Sequence, residues 1–144
     1  MIENLALLLR IAGAGMILLA VLHIPIGRQL KWAEDVRLLT PVNAAIFHVH
    51  TFFICFVLVL MGLPSLIDPM IFLNPSRAGA WIGWSISAFW GVRLYFQWCV
   101  YHPSLWRGKR LETRVHWGVT CVWAGLSLLY AVCGMLQVGW LINP

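Results

Sequence analysis

Apolar residues gather into four long stretches along this chain, over about 5–26, 42–63, 78–101 and 113–141. Inside them polar and small residues recur at helical spacing. In the fourth stretch His116, Thr120, Trp123, Ser127, Tyr130, Gly134 and Gln137 follow alternating steps of four and three, which puts them on one helix face. Glu112 extends that stripe by one turn. The second stretch aligns Ala44, His48, Thr51, Cys55, Leu58 and Gly62, and the third aligns Gly83, Trp90, Arg93 and Gln97. The first aligns Leu9, Ala12, Met16, Ala20 and His23, and its Ala12–Gly15 run of small residues permits close helix approach. A helix needs about 20 mostly apolar residues to cross a hydrocarbon core of roughly 30 Å. The pattern therefore predicts an all-α integral membrane protein of four transmembrane helices, forming one domain over 1–144. Polar groups on such helices turn away from lipid, so the stripes mark the inward faces.

The connections are short, which predicts an up-down-up-down bundle with spans two and four across one diagonal. Residues 27–40 carry Leu30, Ala33, Val36 and Leu39 between charges, the spacing of a short amphipathic helix on the membrane surface. Thr40-Pro41 reads as an N-cap followed by a first-turn proline, and Asn74-Pro75-Ser76 offers caps to span three. His102 precedes Pro103, which disfavours continuing the third helix. The N-terminus lacks a signal-peptide pattern: Glu3 sits in its first residues and Arg10 interrupts the apolar run. The first stretch is expected to be a retained span.

Composition agrees with the pattern. The chain has 144 residues, 61% hydrophobic and 10% charged, where a soluble domain carries roughly a quarter charged residues. The net charge of +5 is localised. Arg28, Lys31 and Arg37 flank the first connection, and Arg107, Lys109, Arg110 and Arg114 flank the third. The positive-inside rule then puts connections one and three in the cytoplasm and both termini on the outer side, as in a bacterial inner membrane. These charges border spans and meet anionic head groups, so a nucleic-acid partner is excluded and the bilayer is the expected one. Trp81 and Trp140 fit the outer interface, and Trp32, Trp106 and Trp117 the inner one. The four cysteines lie within spans and form no C-x-x-C pair, which speaks against thiol–disulfide chemistry.

This topology gathers all five histidines, His23, His48, His50, His102 and His116, at the cytoplasmic side. Asn43, Arg93 and Gln97 join the same shallow layer. His48 and His50 are two residues apart, about 200° around a helix, so both cannot face the bundle axis; His48 is expected inward. The histidine layer points to a cofactor. One expectation is haem b, with His48 and His116 as axial ligands across the diagonal and Arg93 pairing a propionate. Another is a non-haem Fe, Cu or Zn site drawn from His23, His48, His50, His102 and His116, with Glu112, Gln97 and Asn43 around it. Both imply redox chemistry or electron transfer, or a metal-dependent membrane enzyme. The histidine boxes of membrane di-iron oxygenases are absent. A third reading is a non-catalytic accessory subunit of a larger membrane complex, contacting a pigment, a lipid or a quinone.

Overall fold

A computed structural model describes the backbone over residues 1–142 and the side chains through Gly139. The expected interfacial role of Trp140 falls outside the described side chains. The described residues are all-helical, with no strand. They comprise α1 (Ile2–Gln29), α2 (Trp32–Val36), α3 (Pro41–Ile67), α4 (Arg77–Cys99) and α5 (Arg110–Ile142). Short 3-10 turns occupy Pro69–Phe72 and Pro103–Leu105. The chain divides into two compact units, one ending at Pro69 and one beginning at Met70.

The first unit is a helical hairpin of α1 and α3. Its core follows the expected stripes: Leu9, Gly13, Met16 and Ala20 are buried on α1, and Leu58, Gly62 and Ser65 on α3. The two helices touch backbone to backbone at Gly13 and Gly62. A Cβ added to Gly13 would lie 2.6 Å from the Gly62 carbonyl oxygen, and one added to Gly62 would lie 2.8 Å from that of Gly13. Only hydrogen side chains allow this approach. Further along, the Cys55 thiol lies 3.6 Å from the Ala20 carbonyl. The pairings 13–62 and 20–55 run in opposite directions, so α1 and α3 are antiparallel. Pro25 and Pro64 each stand inside a helix, where each removes a backbone N–H from the ladder.

α1 runs three residues beyond the stretch expected to cross the membrane, and only Trp32–Val36 of the connection forms its own helix. Lys31 makes the corner in the left-handed region, at φ 57°. Thr40 caps α3 by accepting the Asn43 N–H at 3.4 Å, as its sequence position implies.

The second unit is a hairpin of α4 and α5, also antiparallel. Ser87 donates to the Ser127 carbonyl at 2.8 Å, and Ser127 donates back to the Ser87 carbonyl at 3.0 Å. Gly83 lies against Gly134, with a distance of 3.4 Å from its would-be Cβ to the Gly134 nitrogen. Toward the turn Pro69–Phe72, Gln137 donates to the Phe72 carbonyl at 2.7 Å. Ser76 caps α4 by accepting the Gly79 N–H at 2.9 Å. Every member of the α5 stripe from His116 to Gln137 is buried or half-buried.

Among the described residues, three helices are long and apolar enough to cross a membrane: Ile2–Gln29, Pro41–Ile67 and Arg110–Gly139. α4 is not among them. Its 23 residues span about 34 Å, ample for a crossing. What sets it apart is polarity: Arg77, Ser85, Ser87, Arg93 and Gln97 dilute its apolar residues. Of these, Ser87 and Gln97 are buried and Arg93 is half-buried, so α4 carries polar groups into the interior of its hairpin.

Candidate ligand site in the second hairpin

Arg93 lies six residues before the end of α4, about 9 Å inside it. Arg93 is half-buried, and a cation partly withdrawn from water needs electron-rich neighbours. Arg93 finds them by reaching toward the helix end. Its guanidinium lies 5.2 Å from the Trp123 ring centroid and 5.6 Å from that of Tyr101. It also donates to the Gln97 side-chain oxygen at 3.3 Å. Trp123 stacks in turn on Trp90, with centroids 4.9 Å apart and planes 13° from parallel.

Gln97 connects Arg93 to His116. The two are one helical turn apart on α4, so they share a face. The Gln97 nitrogen is 3.0 Å from His116 Nδ1, and both residues are buried. Guanidinium groups only donate hydrogen bonds. The Gln97 oxygen must therefore face Arg93, and its NH2 must face His116. His116 Nδ1 then accepts, and the imidazole carries its proton on Nε2. That N–H makes no hydrogen bond among the described residues.

The imidazole is held from other directions as well. Trp106 stacks flat upon it at 4.2 Å and 10°, and Trp117 meets it edge-on at 5.7 Å. Thr120 donates to the His116 carbonyl at 2.7 Å. Trp106 is placed by the turn that Pro103 begins, and its carbonyl accepts from Thr113 at 2.6 Å. The indole N–H groups of Trp90, Trp106 and Trp123 are buried with no acceptor among the described residues. Buried N–H groups ordinarily have partners. The second hairpin thus holds several donors without acceptors among the described residues: the imidazole N–H and three indoles.

The other expected site residues stand apart from this network. His23 is half-buried, with Nδ1 2.8 Å from the carbonyl of Leu19 on its own helix. His48, expected to face inward, is exposed, and so is His50. The angular reading of the α3 stripe holds at Thr51, Cys55, Leu58 and Gly62, all buried or half-buried. At the level of His48 its outcome differs because Trp32 occupies the space beside α3. The Trp32 ring covers Gly27 and packs edge-on against Phe47 at 5.6 Å, so Phe47 takes the half-buried position and His48 the outer one. His102 is exposed and caps its turn, accepting the Ser104 N–H at 3.3 Å. Asn43 serves the Thr40 cap through its backbone N–H, and its side chain is exposed. Glu112 is exposed in the first turn of α5, where its charge suits the helix dipole.

His23, His48 and His50 thus belong to the first hairpin, and His102 and His116 to the second. Among the described residues no three His, Cys, Asp or Glu side chains gather as a metal-ligand set. Of the expected site residues the structure brings Arg93, Gln97 and His116 together, and beside them Tyr101 and Trp106, which were not expected there. The signal for Trp106 was Pro103, whose tight turn brings residue 106 back toward the start of α5. The chain matches no protein-family model, no curated protein and no solved structure.

Proposed function

We propose that this chain is a four-helix membrane protein whose second hairpin binds a lipid-soluble hydrogen-bond acceptor of the quinone kind. It would do so as an accessory or electron-transfer component of a larger membrane assembly. The observation that carries this reading is the Arg93–Gln97–His116 relay, which presents the Nε2–H of a buried imidazole with no internal acceptor. A quinone carbonyl is an acceptor, and its flat ring suits the aromatic surfaces of Trp106 and Trp117. The crossing pattern, with α4 as the third of four spans, rests on the helix lengths and the antiparallel hairpins. The orientation rests on Arg28, Lys31, Arg37, Arg107, Lys109, Arg110 and Arg114, which would face a bacterial cytoplasm.

Haem b with His48 and His116 as ligands is the rival reading. An axial histidine binds iron through one nitrogen and donates a hydrogen bond from the other. With Nδ1 of His116 accepting from Gln97, ligation through Nε2 requires the Gln97 amide to turn over and set its NH2 against Arg93. The residues as arranged therefore suit a donor role better than a ligand role.

Extraction of the purified protein and chromatography of its lipid-soluble content test the proposal. Quinone is expected in the wild-type protein and reduced roughly five- to tenfold in His116→Phe, which keeps the ring and loses the donor. Quinone content unchanged by that substitution would overturn the reading. A Soret band that disappears in His116→Ala would replace it with haem.

A further inference from the structure

One face of α4 holds a feature that the quinone reading does not use. Ser85, Ala88, Phe89, Val92, Arg93 and Phe96 line an open groove of about 440 Å³, with an almost wholly apolar wall. These residues recur at three- and four-residue steps along one helix face. Phe89, Val92 and Phe96 are exposed. Ser85 to Phe96 spans about 16 Å, close to half of a hydrocarbon core of roughly 30 Å. The groove is as long as one leaflet is deep.

Arg93 is the one charged residue lining this groove, near its Phe96 end. It donates one hydrogen bond, to Gln97, of the five N–H groups a guanidinium offers. It has no carboxylate partner among the described residues. Glu112, on α5, forms no ion pair among the described residues. The side chain reaches from residue 93 to the ring of Tyr101, two turns nearer the helix end, and so lifts its charge toward the membrane surface. A cation without a counter-ion stands at the top of a greasy channel one leaflet deep.

We propose that this face of α4 binds an anionic phospholipid, its phosphate on the Arg93 guanidinium and one acyl chain along Ser85–Phe96. Phosphate accepts paired hydrogen bonds from a guanidinium. An apolar protein face seated here would leave the charge uncompensated, whereas a phospholipid fills both the channel and the cation. The lipid would use N–H groups of Arg93 that Gln97 does not take, so it can bind while the contact with Gln97 is kept.

Native mass spectrometry of the full chain in a mild detergent tests this, with dioleoyl-phosphatidylglycerol as probe, phosphatidylcholine as zwitterionic control and oleate as free carboxylate. The wild-type protein is expected to retain one phosphatidylglycerol in preference to phosphatidylcholine. Arg93→Gln should weaken that binding roughly fivefold. Ala88→Trp fills the channel without touching the charge and should lower retention of the same lipid. Arg110→Gln, in the basic loop, should leave it unchanged. Should Arg93→Gln not fold, Arg93→Lys replaces it and is expected to keep the preference for the anionic lipid, while Ala88→Trp still reports on the channel. Equal retention of both phospholipids, or loss in Arg110→Gln but not in Ala88→Trp, overturns the proposal. So does preferential capture of oleate, or an Arg93-dependent dimer free of lipid. Loss of quinone with lipid retained would instead remove only the acceptor site.

Discussion

The two hairpins solve the same packing problem with opposite chemistry. In the first, α1 and α3 meet through Gly13, Met16, Leu58 and Gly62, and backbone approaches backbone. Its buried residues are apolar or small, and two of its three histidines lie on the outside. In the second, α4 and α5 come close at Gly83 and Gly134, but along the rest of the seam they meet through the side chains of Ser87, Trp90, Gln97, His116, Trp123 and Gln137. Close glycine packing maximises van der Waals contact but leaves no room for polar groups. Bulky aromatic and polar residues hold helices apart and fill the gap with hydrogen bonds and stacked rings. The hydrogen-bonded and stacked polar groups therefore concentrate in the second hairpin.

This contrast predicts a ranking of substitutions. The largest effect is expected at Trp90, 2% exposed and stacked on Trp123. Trp90→Ala should cost about 3 kcal/mol, read as an earlier unfolding transition in detergent titrated with a denaturing surfactant. It should also release Arg93 from the aromatic stack, since Trp123 loses the ring behind it. A smaller loss, about 2 kcal/mol, is expected for Gly13→Leu, because the new side chain meets the Gly62 carbonyl and the backbone of Leu66. Gly15→Leu, with nothing within 4 Å of its would-be Cβ, should be neutral by the same assay. Equal sensitivity at Gly13 and Gly15 would remove the backbone crossing that defines the first hairpin. The smallest effect is expected at His48. His48→Ala should change stability by less than about 0.5 kcal/mol and leave the His116 site intact. A large loss of bound quinone in that variant would show that the two hairpins share one site.

Much of the helical framework was legible in the sequence, though not its division into two hairpins of different character. Helix positions, the Thr40 and Ser76 caps and the inward stripe of α5 follow from period, capping residues and polarity, which act locally. The face of α3 was also legible, except at its start. His48 falls on the correct angle, but burial depends on what stands opposite. There Trp32, arriving from the connection after a left-handed Lys31, takes the place beside Phe47. No helical period encodes that arrival. The His116 tautomer was illegible for a related reason. It follows from a three-residue relay in which Arg93 dictates the amide orientation of Gln97, and that relay exists only once α4 and α5 are antiparallel in this register. Pooling the histidines by leaflet gave weight to His23, His50 and His102, which the structure uses for a helix carbonyl contact, an exposed position and a turn cap.

The central claim is that Arg93 and Gln97 hold the buried imidazole of His116 as a donor through Nε2. Nitrogen-15 NMR of histidine-labelled protein in micelles reads this directly, with the His116 signals assigned by their loss in His116→Phe. The account predicts a ring with Nδ1 unprotonated and Nε2 protonated, changing when Gln97→Leu removes the donor to Nδ1. A ring protonated at Nδ1, with Nε2 bare or bound to a metal, would contradict it.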